Sequence, residues 1–150
     1  WSNLAANMPA ESFCVLAPDD ENSVRFDKRQ DYLIYRRCLF TCKKWRWPKW
    51  LPIFMHTKNI IKRENIEKIV VTHILPVGTV ALLMKLLYKI PYVVSMHGLD
   101  VSYATVSLRK RLLTKLILRF SDTIIVNSNY TKNLMLKKKY QDQIIGQDGI

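Results

Sequence analysis

Four apolar runs constrain the fold of this chain more than any other feature. Each run is apolar at successive positions, not at every second one, and is rich in residues that favour strands. Strands of this kind are covered on both faces, which is typical of a parallel sheet with crossover helices. The runs are Phe13 to Ala17, Ile69 to Ile74, Tyr92 to Met96 and Thr123 to Val126. Because helical patterns separate the last three runs, the sequence predicts an α/β fold with consecutive β-α-β units.

Two helices are predicted between these strands. From Val77 to Lys89 apolar residues recur at helical spacing, and Pro91 then forbids continuation. The segment from Arg109 to Phe120 has apolar residues on one face and four cations on the other, so we predict a strongly basic amphipathic helix. Its apolar set is Leu112, Leu113, Leu116, Ile117 and Phe120, and its cations are Arg109, Lys110, Lys115 and Arg119.

The remaining segments complete a single predicted domain. A further helix is predicted from Tyr130 to Lys139, and a strand near Tyr32 to Tyr35 lies in an otherwise irregular region, residues 18–58. A chain of 150 residues corresponds to one ordinary domain. We expect this domain to be truncated at both ends, since residues 1–8 resemble the end of a helix and residues 143–150 resemble a chain that leaves one domain for another.

Cysteine content and the lack of a leader favour a cytoplasmic setting. Three cysteines, Cys14, Cys38 and Cys42, are too few and odd in number for a disulfide framework. The spacing of the last two could form half of a metal site, but no second Cys or His pair follows. No basic and then apolar leader opens the sequence, and proline, glycine and lysine interrupt its longest apolar stretch, Ile74 to Leu87. We therefore predict neither a signal peptide nor a spanning helix.

The charge balance predicts partners of opposite sign. The chain has 24 Lys and Arg residues against 12 Asp and Glu, a formal net charge of +12. Nucleic acid, anionic lipid headgroups and phosphorylated substrates all fit this charge. Residues 43–50, KKWRWPKW, interleave cations with Trp45, Trp47 and Trp50, and indoles favour the bilayer interface. The alternative is that these indoles pack inward under a loop.

Polar side chains follow three of the apolar runs at the point where each run ends. In a parallel sheet all carboxyl ends lie at one edge, and ligands bind in the crevice outside that edge. The polar sets are His73, then His97 with Gly98 and Asp100, then Asn127 with Ser128. The glycine would let the backbone approach a ligand closely, and a histidine there can donate or accept a hydrogen bond. The alternative is that the histidines, Asn127 and Ser128 only cap backbone groups, and that Asp100 forms a local ion pair.

Residues 67–101 and 109–135 carry a resemblance to a known family. They read EKIVVTHILPVGTVALLMKLLYKIPYVVSMHGLDV and RKRLLTKLILRFSDTIIVNSNYTKNLM. The order of features is a proline-led strand with HG-x-D, then Ser-Asp before an apolar strand, then Asn-Ser opening a helix. This combination resembles the amino-terminal domain of glycosyltransferase family 4, which has the GT-B architecture of two facing Rossmann-like domains. The likeness covers residues of roughly 65 to 150.

The resemblance implies a Rossmann-like parallel sheet flanked by helices and assigns roles to matching positions. The amino-terminal domain of this family mainly receives the acceptor. The carboxyl-terminal donor domain, which holds most of the nucleotide sugar and supplies a pair of glutamates, is absent from residues 1–150, as is the family's first glycine-rich loop. His97 matches the HG-x-[DE] histidine, which in relatives lies in the cleft close to the transferred sugar. Gly98 would shape that turn, while Asn127 and Ser128 match polar positions that line the cleft.

The chemistry implied by the resemblance is retaining, hexosyltransferase-type transfer from a nucleotide diphosphate sugar, with no required metal or cofactor. Oriented donors and basic groups would stabilise the departing diphosphate, and the histidine would position the sugar. The basic surface fits a peripheral protein at the inner face of the membrane. The partners expected are a nucleotide sugar donor, a lipid-linked or cell-envelope glycan acceptor and an anionic membrane surface.

Two other classes of protein stay open at this level. Basic residues interleaved with aromatics also suit phosphate backbones and stacked bases, which would make the chain a nucleic-acid-binding module. No nucleic-acid motif is recognisable, and a polar rim at the strand ends would then lack a purpose, so we expect no nucleic acid partner. The second class is a non-catalytic α/β partner that retains the fold.

Overall fold

Parallel strand pairing organises both parts of the chain. The structure, a computed structural model, describes residues 7–21, 23–39, 48, 50–96, 107–126, 128, 133 and 144–145. The chain divides into two compact units, Trp1–Thr57 and Lys58–Ile150. Each unit has its own parallel sheet, and helices separate the successive strands as far as residue 126. The predicted α/β, Rossmann-like class is therefore confirmed, whereas the division into an acceptor-side domain and an absent donor domain stays a prediction.

The first unit contains a two-stranded parallel sheet. Strand β1 (Cys14–Pro18) pairs with β2 (Leu33–Arg37), and a 3-10 turn (Ala10–Ser12) precedes β1. The short helix α1 (Ser23–Asp27) lies between the two strands in the sequence. Both strands predicted in this region are confirmed, and their bounds lie one or two residues later than predicted.

Arg36 joins α1 to both strands of this sheet. Its Nε and Nη2 donate to Oδ2 and Oδ1 of Asp27 at 3.0 and 2.8 Å, and its Nη1 donates to the carbonyl of Pro18 at 3.0 Å. The hydrogen bond and positive charge of Arg36 hold the pKa of Asp27 below its ordinary value. A bidentate guanidinium-carboxylate pair fixes orientation as well as distance.

Helix α2 (Leu51–Glu64) lies in a region where no helix was predicted. Pro52 occupies its second position, and proline is tolerated there because the first N–H groups of a helix have no intrahelical acceptor. Its last turn carries Lys62 and Arg63, whose charges interact favourably with the carboxyl end of the helix dipole.

The second unit contains a four-stranded parallel sheet in the order β3-β4-β5-β6. The strands are β3 (Ile69–Val71), β4 (Tyr92–Met96), β5 (Thr123–Val126) and β6 (Ile144–Ile145). The prediction that the apolar runs form neighbouring parallel strands is confirmed. Strand β3 is shorter than predicted because Ile74 already belongs to the turn that follows, and β6 was not predicted.

Two helices link the strands of this sheet. An irregular turn (Ile74–Gly78), in which Leu75 is extended with φ −128° and ψ 135°, leads into α3 (Thr79–Tyr88), and α4 (Leu108–Phe120) precedes β5. Ser107 caps α4, since its hydroxyl accepts from a backbone N–H of the first turn at 3.3 Å. Both predicted helices are thus confirmed, whereas the helix predicted from Tyr130 to Lys139 lies outside the described residues apart from Asn133.

The core of the second unit is centred on β4, all five residues of which are buried. Ile117 and Leu118 of α4 belong to the same buried cluster as Val94. Close approach between α4 and the start of α3 depends on Gly78, because a Cβ atom there would lie 3.0 Å from Cγ2 of Ile117. A larger residue at this position would therefore require the Ile117 side chain to shift.

The buried face of α4 differs from the apolar set that its sequence pattern defines. Ile117 is buried as that pattern indicates, and Leu118, which was not in the set, is buried too. Leu112, Leu116 and Phe120 are exposed. The physical reason is that the apolar arc of this helix is wider than its contact with the sheet, so only part of the arc is covered.

Candidate active site

The carboxyl ends of β3, β4 and β5 lie at one edge of the four-stranded sheet, as predicted. Val71, the last residue of β3, pairs with Val94, and Met96, the last residue of β4, pairs with Val126 at the end of β5. The strand ends are therefore level to within about two residues, or roughly 7 Å. We call the segments that follow them, residues 72–73, 97–100 and 127–128, the rim.

His73 is an exposed rim residue with one defined polar contact. Its backbone stays extended beyond β3, with φ −139° and ψ 141°. Its Nδ1 atom lies 3.0 Å from Oγ1 of Thr72, a distance that fits a hydrogen bond. Thr72 was not among the predicted site residues, and only its position next to a candidate histidine could have indicated a role.

The remaining predicted rim residues are described only in part. Ser128 is exposed, two residues beyond the end of β5. His97, Gly98, Asp100 and Asn127 lie outside the described residues. The structure therefore brings the strand ends together as predicted, and the roles of the six predicted rim residues stay predictions.

The Ser-Asp pair that contributed to the family resemblance lies at the opposite edge of the sheet, just before β5. The hydroxyl of Ser121 donates to the carbonyl of Leu118 at 2.7 Å, which closes the last turn of α4. The Asp122 carboxylate accepts from Nζ of Lys85 at 2.8 Å and from the backbone N–H of Tyr92 at 2.9 Å. These contacts give the pair a structural role away from the rim.

Opposing effects act on the pKa of Asp122. Burial raises this pKa, but the hydrogen bonds from Lys85 and the Tyr92 N–H, together with the charge of Lys85, lower it more, so that the pKa stands below its ordinary value. The carboxylate is therefore ionised at neutral pH and acts as a fixed acceptor.

The predicted membrane-contact residues fall in two places. Arg109, Lys110, Lys115 and Arg119 are all exposed on α4, in the second unit. In the first unit, Trp50 is half-buried and packs edge-on against Phe54 with ring centroids 6.1 Å apart. Trp45 and Trp47 lie outside the described residues.

The described part of the chain shows neither a metal-binding cluster nor a membrane-spanning helix. Within the residues that the structure describes, no group of three or more His, Cys, Asp and Glu side chains could hold a metal ion. In that same part, none of the helices is both long enough and apolar enough to cross a bilayer.

Residues 2–145 match the sequence model of Glycosyltransferase Family 4. The chain belongs to this family. This family 4 chain is also 32% identical, over 93 residues, to an uncharacterized glycosyltransferase of Methanocaldococcus jannaschii, a match that covers 62% of the chain and 26% of that protein. The matched region thus spans about a quarter of that relative's length. No solved structure matches the family 4 chain.

Proposed function

We propose that this chain is the acceptor-side, amino-terminal domain of a glycosyltransferase that moves a sugar from a nucleotide diphosphate sugar to an acceptor. The reaction would retain the anomeric configuration of a transferred hexose. In this proposal residues 1–150 contribute one wall of the cleft, and a separate donor domain of the complete protein holds most of the nucleotide. The observation that carries the proposal is the shared edge at which three parallel strands of a family 4 chain end.

His97 is the rim residue to which we assign the central role. It follows Met96, the last residue of the central and fully buried strand β4, directly in the sequence. A rigid strand is a precise support for a side chain that must contact a reacting sugar. The imidazole would hydrogen-bond the transferred sugar and hold it in the geometry of the transition state. This hydrogen bond would raise the rate only if it is stronger in the transition state than in the ground state.

The other rim residues would bind substrate around this histidine. Gly98 would allow the backbone to approach the sugar, and Asp100 would accept from a sugar hydroxyl. His73, Asn127 and Ser128 would contact the acceptor from the two neighbouring strand ends. Oriented donors and basic groups of the closed cleft would stabilise the negative charge that develops on the departing diphosphate.

A lipid-linked or cell-envelope acceptor fits the charge of the chain. The net charge of +12 favours a peripheral position at an anionic membrane surface on the cytoplasmic side. Each Lys or Arg near such a surface contributes about 1 kcal/mol, so the four predicted cations of α4 would suffice for reversible attachment. Trp45, Trp47 and Trp50 would add indole contacts at the headgroup level.

The test of this proposal is His97→Ala in the full-length protein. We expect kcat for transfer to fall by about 100-fold, as it does when a group that stabilises a transition state is removed. His56→Ala is the matched control, because that histidine lies on α2 and not on the rim, and it should leave kcat within twofold of the wild type. Product anomers observed by NMR would report retention.

Two results would contradict the proposal. An unchanged transfer rate in His97→Ala would remove this residue from the site. Salt-sensitive binding of RNA or DNA by the full-length protein, without binding of any nucleotide sugar, would instead favour a nucleic-acid-binding module.

A further inference from the structure

Helix α4 carries an exposed apolar ridge formed by residues four positions apart. The exposed fractions are 84% for Leu108, 61% for Leu112, 38% for Leu116 and 41% for Phe120. Residues at this spacing follow one another along one side of a helix, so the four side chains form a continuous stripe about 18 Å long. We call this stripe the α4 ridge.

Cations surround the α4 ridge, and no acidic residue occurs in the helix. The cations are Arg109, Lys110, Arg111, Lys115 and Arg119, and all five are exposed. At 100° per residue, Arg109 and Lys115 fall on either side of Leu112. Their long aliphatic stems can lie along apolar surface while their charged ends reach outward to phosphates.

We propose that α4 is a membrane-docking surface whose ridge inserts into the headgroup boundary of an anionic bilayer. An interfacial helix of this kind lies in the membrane plane with its leucines in the acyl boundary and its cations on lipid phosphates. The proposal assigns attachment to apolar residues that the sequence pattern would place toward the core, and not to charge alone.

Charge and apolar surface together favour a bilayer over other partners. A nucleic acid would bind the cations but gain little from leucines, because single-strand binders use aromatic rings on which bases stack. A protein partner would have to present an apolar groove with acidic margins on both sides. An anionic bilayer offers both properties along the whole 13-residue helix.

The orientation of α4 supports the lipid-linked acceptor over a soluble one, and this step rests on the proposed function. The helix ends directly before β5, where the Asp122 N–H donates to the Tyr92 carbonyl at 3.0 Å at the edge opposite the rim, and as a crossover helix it runs antiparallel to the strands. Leu108 therefore lies toward the rim. With α4 flat on a bilayer, the rim would stand about one helix diameter, roughly 10 Å, above the lipid surface. A sugar acceptor attached to a lipid headgroup could reach it there.

The experiment measures binding of the full-length protein to vesicles. The vesicles contain either phosphatidylcholine alone or an equal mixture with phosphatidylglycerol, and the variant is Leu112→Ser/Leu116→Ser, which keeps every charge. We expect tight binding only to anionic vesicles and an affinity about 100-fold lower in the variant, since each buried leucine is worth about a factor of ten. Part of the vesicle binding should persist at high salt, because salt screens the attraction between charges but not the insertion of apolar side chains.

The matched control is the double variant Leu86→Ser/Leu87→Ser on α3. These leucines are 58% and 62% exposed, against 61% and 38% for Leu112 and Leu116, so the control removes at least as much exposed apolar surface. We expect the control to bind vesicles as the wild type does. An equal loss in the control would overturn the assignment to α4, as would wild-type affinity in Leu112→Ser/Leu116→Ser. The assignment would also be overturned if the wild type did not bind vesicles but formed a dimer, and if Leu112→Ser/Leu116→Ser dissociated that dimer.

A second measurement needs no variant. Hydrogen exchange of wild-type residues 108–120 should slow when anionic vesicles are added, and unchanged exchange would overturn the proposal even if Leu112→Ser/Leu116→Ser failed to fold. Transfer to a water-soluble acceptor separates this inference from the proposed function. Vesicle binding without any transfer would contradict the proposed glycosyltransferase function but not the membrane-docking role of α4. Transfer without vesicle binding would contradict only the docking role of α4.

Discussion

Asp122 pairs with Lys85 across 37 residues of sequence, with 2.8 Å between Oδ1 and Nζ. The other carboxylate oxygen accepts the backbone N–H of Tyr92, so one side chain joins α3, β4 and the start of β5. All three elements meet at the edge opposite the rim. This contact therefore stabilises the sheet that carries the candidate site without taking part in it.

Asp122→Asn should weaken the junction that Asp122 forms with Lys85 and Tyr92. It should also reduce the loss of stability when the protein is acidified. The folded pKa of Asp122 is lowered, so its contribution to the free energy of unfolding is present above the unfolded pKa of about 3.8 and is lost as pH falls through the folded value. Because the carboxylate is partly exposed, we expect a loss of only about 1 kcal/mol at pH 7. Urea unfolding from pH 7 down to pH 2 measures both effects.

A smaller fall in stability on acidification is the signature to look for in Asp122→Asn. The exposed Glu67, just before β3, offers a control, and Glu67→Gln should leave the junction intact. Identical pH profiles for Asp122→Asn and the wild type would contradict the assignment.

Tyr92→Phe should destabilise the second unit through one buried hydrogen bond. The Tyr92 ring is fully buried, and its hydroxyl donates to the backbone carbonyl of Ile117. Removing the donor deletes this hydrogen bond to the Ile117 carbonyl, which costs about 0.5–1.5 kcal/mol in the free energy of unfolding. Urea unfolding at pH 7 measures the loss. Tyr88→Phe, at an exposed position, serves as the control and should cost little.

The pKa of the same tyrosine should make the stability of the protein depend on pH in alkali. Burial, and then the negative charge of Asp122, raise the pKa of Tyr92 above its ordinary value of 10.0. The neutral hydroxyl is favoured in the folded state, so stability is fully present below pH 10 and falls as pH rises further, when the unfolded tyrosine ionises. Tyr92→Phe should remove part of this fall between pH 10 and 11. If the stability of Tyr92→Phe fell between pH 10 and 11 as much as that of the wild type, this prediction would be contradicted.

The central strands could be predicted because each is an apolar run next to a helical pattern. Strand β4 is buried at all five positions, as expected for a strand covered on both faces. Val70 of β3 and Ile125 of β5 are exposed, so the sequences of these two strands lack alternation although one face is only partly covered. A crossover helix between successive strands returns the chain to the same end of the sheet, so the strands run in a common direction. The position of the rim followed from these two facts.

Other features could not be read from periodicity. The apolar arc of α4 spans both its covered and its open side, and nothing in the spacing distinguishes Ile117, which packs on Gly78, from the exposed Leu112. Helix α2 was missed because Pro52 looks like a helix breaker until its place in the first turn is known. The pairing of Asp122 with Lys85 could not be predicted either, because Lys85 comes close to Asp122 only when α3 has folded back along the sheet.

Gly78→Ala should destabilise the protein by crowding Ile117. The new Cβ would lie 3.0 Å from Cγ2 and 3.5 Å from Cδ1 of that side chain, and also 3.6 Å from the carbonyl of His73. Overpacking of this kind typically costs about 1–3 kcal/mol. Denaturant unfolding measures the change in the free energy of unfolding.

A double-mutant cycle distinguishes crowding from a change in backbone entropy. Ile117→Ala removes the crowded Cγ2 atom, so Gly78→Ala should cost less in that background and give a coupling of about 1 kcal/mol or more. Additive effects would mean that Ile117 is not what the methyl group meets.

Thr72→Val should affect the rim without affecting the fold. The Thr72 hydroxyl lies 3.0 Å from Nδ1 of the exposed His73, and this contact restrains an imidazole that we propose to bind the acceptor. Removing a neutral hydrogen bond costs about 0.5–1.5 kcal/mol, so KM for the acceptor should rise about 2- to 10-fold while kcat stays within twofold. Thr72→Ser keeps the hydroxyl and should restore KM. An unchanged KM for the acceptor in Thr72→Val would show that the hydrogen bond to His73 does not contribute to acceptor binding.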